Sequence, residues 1–341
     1  MKALMGRLKS KPTDVVGIDV GTAATKVVRM QRHGQTPTVV AAEILPAVRF
    51  AAEDSPEPPH PPLLELPPRL KGRYGCLAFT GENAVIKLLT FPGAFDEHGE
   101  ERLVESMGLE NPENYRLAYK VVSEGHGRSE SRVLGVAVLE KEAQMFPRLL
   151  ASGFPVPFSL EVSGLASMTA FLHTIPSSAM EQALGVIEFG ASVSTLALFN
   201  RGVLALIRRF NFGVSDLLAK VRAQLGVDEE TARGIISDGS FDISQSVVEV
   251  LDPLVKQLRI SRDFVERREN CRLAGIYVSG ALARAGGALG EIEALMEIEV
   301  LLWNPLENLR VAKGALPEWL TGSEWQLAGA VGACLATFEE T

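Results

Sequence analysis

Two carboxylates in near-identical surroundings are the residues of this chain best placed to do chemistry. Asp19 lies in Val15-Val16-Gly17-Ile18-Asp19-Val20-Gly21-Thr22-Ala23-Ala24-Thr25-Lys26, and Glu188, 169 residues later, in Leu184-Gly185-Val186-Ile187-Glu188-Phe189-Gly190-Ala191-Ser192-Val193-Ser194-Thr195. Each segment reads as a strand, a tight turn of small residues and a second strand. Alternation along the first strand puts Val16, Ile18 and Val20 on one face and Gly17, Asp19 and Gly21 on the other. The carboxylate therefore stands beside a turn with few side chains in the way. Backbone N–H groups of such a turn can converge on a phosphate, the hydroxyls of Thr22 and Thr25 add donors, and the acid can hold a metal ion through water. Two facing copies would clamp a nucleotide's phosphates from both sides. A single Asp-x-Gly turn is ordinary hairpin material, and it is the repetition, one copy opening each half of the chain, that gives the pattern its meaning.

Composition narrows the remaining classes. With 341 residues the chain can form two domains of ordinary size, and 46% hydrophobic with 22% charged residues is the balance of a globular protein. A net charge of −8 argues against nucleic acid as main partner. Cys76, Cys271 and Cys334 are far apart and odd in number, so they read as small buried residues rather than a disulfide framework. The five histidines form no metal-binding pair. No apolar run is long enough to span a bilayer, and the basic start, Met1 to Lys11, lacks the cleavage site of a signal peptide. It reads as a frayed tail.

The elements that must position the two acids follow in order. Extended sequence continues through Thr38 to Leu45, and Ser55 to Pro68 carries seven prolines in fourteen residues, which excludes a regular helix there. Strands at Gly75–Gly81 and Ala84–Leu89 lead to a compact α+β stretch from Asp96 to Phe154. Leu160 to His173 reads as strand into helix. After the second hairpin come a strand at Val203–Phe210, a helix beginning near Asp216, and a long helix over Ser244–Glu269 with Pro253 inside it. The strand Leu273–Val278 runs into Ser279-Gly280-Ala281, a small-residue loop before a helix and so another candidate anion or ribose site.

Taken in order, these segments resemble the actin-like ATPase superfamily, and more closely the type IV pilus assembly PilM family, relatives of the cell-division protein FtsA. The segment around Asp19 is similar to that family's first phosphate loop and Gly185 to Gly213 to its second. Phe91-Pro92 and the stretch after it resemble the strand and inserted 1C subdomain. Leu258-Arg259, Ser261 and Asp263-Phe264 resemble a family helix motif. Ile276 to Gly280 resembles the adenosine-side loop, and Trp303-Asn304-Pro305-Leu306 the Asn-Pro turn. The resemblance implies an α/β, duplicated actin-like (RNase H-like) two-lobed fold with an inserted α+β 1C-type subdomain. It divides the chain into a basic tail (1–12), a first lobe (13–95 and 155–176, with 325–339 as a returning helix), the insertion (96–154) and a second lobe (177–324).

It further implies an ATP and Mg²⁺ site. Asp19 would position Mg²⁺ through water; Gly21, Thr22, Thr25 and Lys26 would hold one side of the phosphates, Glu188, Gly190, Ala191, Ser192 and Ser194 the other, and Gly280 and Ala281 would border the nucleoside. The implied role is a cytoplasmic scaffold at the inner face of the inner membrane, binding the N-terminal tail of a bitopic, PilN-like protein in a groove by the 1A and 1C subdomains. Three departures from the family pattern predict weak ATP binding and negligible turnover: Glu188 in place of Asp, Ala281 in place of a second glycine, and Ala232 and Ile235 where an acid and a lysine contact ribose and purine. A sugar kinase or active ATPase, a pseudo-enzyme with a purely structural cleft, and the cytoplasmic domain of a type II secretion protein are the alternatives on the same fold.

Overall fold

The computed structural model describes residues 12–34, 36–50, 62–96, 98–125, 129–238, 241–285 and 287–339. Met1 to Lys11 and the proline-rich residues 51–61 lie outside the described residues. The chain opens with an antiparallel meander of β1 (Asp14–Val20), β2 (Ala24–His33) and β3 (Thr36–Pro46), and β4 (Tyr74–Phe79) then pairs parallel to β1. The expected alternation holds on β1. Val16, Ile18 and Val20 pack into a core with Val27, Leu77 and Phe79. The Gly17–Asp19 face is turned to a helix described below.

The next strand, β5 (Val85–Pro92), leaves this sheet. It pairs along its whole length with β7 (Glu130–Leu139), which also pairs with β6 (Tyr115–Ser123), forming a separate three-stranded sheet covered by α1 (Gly99–Met107). Phe91 of β5 shares a small core with Leu103, Met107, Val133 and Ala137. The insertion thus begins at β5 and not at Asp96, because β5 finds its hydrogen-bond partner and its buried aromatic there. A short helix α2 (Glu140–Met145) closes it, and β8 (Val156–Val162) returns to pair parallel with β4, followed by α3 (Ser163–Thr174).

The second lobe repeats the first. β9 (Ala183–Phe189), β10 (Ser194–Asn200) and β11 (Val203–Phe210) form a second antiparallel meander. Helices α4 (Val214–Leu225), α5 (Glu229–Asp238) and α6 (Ser244–Glu269) follow, and α6 continues through Pro253. Then β12 (Leu273–Gly280) pairs parallel to β9, and α7 (Ala288–Met296) leads to β13 (Glu299–Leu302), parallel to β12. The strand order β11-β10-β9-β12-β13 reproduces β3-β2-β1-β4-β8 position for position. The sequence duplication is therefore a duplication of topology.

The chain ends by returning to the first lobe. β14 (Arg310–Val311) extends the first sheet beyond β3, and α8 (Ala328–Glu339) lies across β1. Small residues allow this close approach: a Cβ on Gly17 would stand 1.9 Å from the Ala330 carbonyl oxygen, and one on Gly332 would stand 1.7 Å from that of Ala166 on α3. Between the lobes, Phe171 of α3 stacks on Phe199 and meets Trp303 edge-on. Cys76 and Cys334 are fully buried and Cys271 partly so. No helix among the described residues is long and apolar enough to cross a membrane.

Candidate functional site

The two acid-glycine turns have the same construction. The Gly21 N–H closes onto the carbonyls of Asp19 (3.1 Å) and Ala24 (3.2 Å), and the Gly190 N–H closes onto that of Val193 (3.2 Å). Any side chain would break them, since a Cβ on Gly21 would lie 2.9 Å from the Ala24 oxygen and one on Gly190 2.4 Å from the Val193 oxygen. The second turn is braced further, its Gly190 and Ala191 carbonyls accepting the first N–H groups of α4. Both turns open onto one cavity of about 390 Å³ between the lobes. Asp19, Gly21, Thr22 and Lys26 line it from the first lobe; Glu188, Gly190, Ala191, Gly280 and Ala281 line it from the second.

Three of the expected phosphate residues point elsewhere, and strand register is the reason. Directly opposed residues of a hairpin share a face. Asp19 is paired with Lys26 and Glu188 with Thr195, so these two partners line the cavity beside the acids. Thr25 and Ser194, one residue earlier, turn the other way and are fully buried; the Ser194 hydroxyl donates to the Phe212 carbonyl at 2.7 Å. Ser192 is at the turn tip, where its hydroxyl donates to Glu82 of the first lobe at 2.7 Å. Thr195 is the residue that sequence reading missed, and the signal was its position opposite the acid.

Charge is concentrated between the turns. Asp19 is buried, accepts a hydrogen bond from the Ser163 hydroxyl at 2.5 Å, and has the Lys26 ammonium 3.6 Å away. Glu188 sits deep in the cleft, where burial first and the Asp19 charge second push its carboxyl up to about 7, opposed by Lys26 and Arg209. Burial lowers Arg209 from its ordinary value, with Glu188 acting in the opposite direction. Two carboxylates on one cavity, one of them with an ammonium beside it, and a glycine turn next to each, are a setting that a metal-bound polyphosphate would fit. No group of three His, Cys, Asp or Glu side chains able to hold a metal occurs among the described residues, so a cation here would keep mostly water ligands.

On the second-lobe wall, Gly280 has φ +87, and a Cβ there would lie 2.1 Å from the Phe189 oxygen, so glycine is required. Ala281 is exposed on the cavity wall. The two α5 positions expected to have lost polar contacts do not line the cavity. Ala232 is fully buried and Ile235 packs partly buried against the second-lobe core, while Arg233 and Ile236 line the cavity with Leu218 and Trp325. A helix shows the cleft one stripe, and Arg233 occupies the polar place on it.

The phosphotransferase alternative needs a further acid at a strand end to act as base. Asp19 and Glu188 are the acids among the described residues that line the cavity, one on each turn. The end of β8 instead supplies Ser163, held by Asp19, within Val162-Ser163-Gly164. That tripeptide recurs as Val278-Ser279-Gly280 at the end of β12, a second repeat that pointed to Ser163 and was overlooked.

Solved structures share this architecture. The "PilM-PilN type IV pilus biogenesis complex" aligns with a TM-score of 0.76 at 18% identity, covering 95% of this chain and 98% of that one. MreB 5 of Spiroplasma citri bound to AMPPNP (TM-score 0.48, 11% identity, 97% and 98% covered) and Ta0583, an archaeal actin homolog (0.47, 12%, 96% and 100%), are more distant. The first of these three shares the duplicated, two-lobed fold of this chain. Compared with curated protein sequences, the chain matches none. The profile described as type IV pilus assembly protein PilM matches residues 160–338, from β8 through the second lobe into α8, which is more than half of the chain; by that match the protein belongs to the PilM family of type IV pilus assembly proteins.

Proposed function

We propose that this protein is an actin-like scaffold of type IV pilus machinery that holds a magnesium nucleotide in its cleft and turns it over slowly or not at all. The observation that carries this reading is the pair of equivalent turns on one cavity, lined by Asp19, Glu188 and Lys26, with the Lys26 ammonium beside Asp19. Asp19 would hold the cation through water, and Lys26 with the turns would hold the phosphates. A bound magnesium nucleotide would supply charge neutralisation between the two acids. Slow turnover would follow from the lack of a spare base: Asp19 and Glu188 are the acids among the described residues that line the cavity, and Ser163 donates to Asp19.

Arg233 on the cleft wall, whose guanidinium also donates to Glu229 at 2.8 Å, would replace one of the polar contacts expected to be lost at α5. With about one such contact missing, at roughly 1.5–3 kcal/mol, a micromolar site would weaken to about 10–100 µM. Calorimetry with Mg-ATP and Mg-ADP, run beside a phosphate-release assay, tests this. The expected result is binding in that range with negligible release. No heat at millimolar nucleotide would overturn the nucleotide reading, and brisk turnover abolished by Asp19→Ala would make the protein a working ATPase.

The scaffold part of the proposal is that the junction of the first lobe and the insertion binds the cytoplasmic N-terminal tail of a bitopic inner-membrane protein like PilN. The related solved complex contains PilN, and family membership supports carrying that partner over. Apolar surface is present near that junction: Phe154 is 66% exposed and Leu63 62%, and the neighbouring Leu64 N–H bonds to the Leu149 carbonyl. Through this partner the protein would work at the inner face of the inner membrane. Titration with a synthetic tail peptide is the direct test, and unchanged affinity in Phe154→Ser would remove this surface from the proposal.

A further inference from the structure

The insertion is joined covalently to the first lobe but gripped noncovalently by the second. The turn from β4 into β5, residues Thr80 to Ala84, is held from across the cleft: Arg209 on β11 donates to the carbonyls of Ala84 and Thr80, both at 2.9 Å, and Ser192 on the second acid-glycine turn donates to Glu82 at 2.7 Å. Gly81 within this turn has φ +59, and Thr80 itself lines the cavity. Farther out, Arg132 on β7 donates to Glu269 of α6 at 2.6 Å, and Arg268 donates to the Thr90 hydroxyl on β5 at 3.2 Å. Arg132 and Glu269 are both largely shielded from solvent.

We propose that the three-stranded insertion is a mechanical reporter of the cleft, set by Arg209 and Ser192 at its entry turn and by the Arg132–Glu269 pair on its sheet. A rotation of one lobe against the other cannot leave the insertion in place. Its chain connections follow the first lobe and its ion pair follows the second, so either the contacts break or the insertion turns. Binding at the cleft and at the insertion are then coupled, and the coupling is reciprocal. The physical link is strand β5 itself, held by the second lobe at its entry turn and again at Thr90 and its partner Arg132, so that releasing the far end is felt at the cleft.

Hydrogen exchange on the full chain tests this in two arms. The nucleotide-free arm compares the parent with Arg132→Met/Glu269→Gln. The expected result is faster exchange, about fivefold and at the lower end of known couplings, both in β5–β7 and in the cleft turns at 21–24 and 190–193. Acceleration confined to β5–β7 overturns the proposal. Should the double variant fail to fold, Arg268→Met removes an exposed side chain and is read the same way. The second arm rests on the nucleotide reading of the cleft: Mg-ADPNP should slow exchange in β5–β7 of the parent about fivefold and leave the variant unchanged there. Unbound Mg-ADPNP in calorimetry defeats that reading alone, since the nucleotide-free arm still decides the link; bound Mg-ADPNP with no change in β5–β7 overturns the link.

Discussion

Gly329 of α8 lies against Asp19 with no room for a side chain: a Cβ there would stand 2.9 Å from the carboxylate carbon and from Oδ2. The returning helix thereby forms the back wall of the acid. Gly329→Ala should displace the Asp19 carboxylate, costing about 1–3 kcal/mol as overpacking and weakening Mg-ATP binding about tenfold or more. Gly290→Ala on α7, where nothing stands within 4 Å of the added carbon, is the control and should stabilise slightly. Denaturant titration and calorimetry on both variants check the pair of outcomes. Equal behaviour of the two would show that α8 yields where its packing says it cannot.

Glu188 makes stability fall as pH rises. Its carboxyl is raised in the folded chain from the ordinary 4.5 to about 7, so between those values the folded protein holds a proton that the unfolded chain has released. By linkage the contribution is fully present below about pH 4.5 and is lost by about pH 7, a span of about 3 kcal/mol. Glu188→Gln should flatten this part of the profile and make the nucleotide-free protein more stable than the parent at pH 8. Urea titrations at pH 5, 6, 7 and 8 measure it, and parallel profiles for parent and variant would count against the burial of this charge.

Arg233 should carry nucleotide affinity where Ala232 does not. Arg233 is exposed on the cavity wall, so Arg233→Ala should lower Mg-ADP affinity about tenfold with little change in melting temperature. Ala232→Ser alters a fully buried core position and should change stability first. Calorimetry beside thermal melts separates the two, and an unchanged affinity in Arg233→Ala would place the nucleoside elsewhere.

Membrane association should depend on a partner. Deleting Met1 to Ser10, which lies outside the described residues, should reduce co-sedimentation with membranes little while a PilN-like protein is present. Loss of sedimentation on that deletion would assign the attachment to the basic tail instead.

Local pattern made the duplicated hairpins, the strand Val203–Phe210, the helix Ser244–Glu269 and the strand–helix passage at β8–α3 legible from sequence, because period and turn chemistry act between near neighbours. The facing of Asp19 and Glu188 was likewise implied by repetition. Tertiary structure decided the rest. Thr25 and Lys26 are adjacent and equally plausible as ligands, and only the Asp19–Lys26 register turns one to the cleft and the other into the core. Arg233 differs from Ala232 by one helical step, which packing against the second-lobe core settles. Strand β5 carries the same kind of apolar run as the first-lobe strands and joins the insertion because β7 offers it a full ladder. Ser163 reaches Asp19 across 144 residues, and Arg209 reaches Thr80 across 129. Such contacts depend on how finished elements cross, an angle set by small residues such as Gly17, Gly164 and Gly332, and sequence periodicity has no term for it.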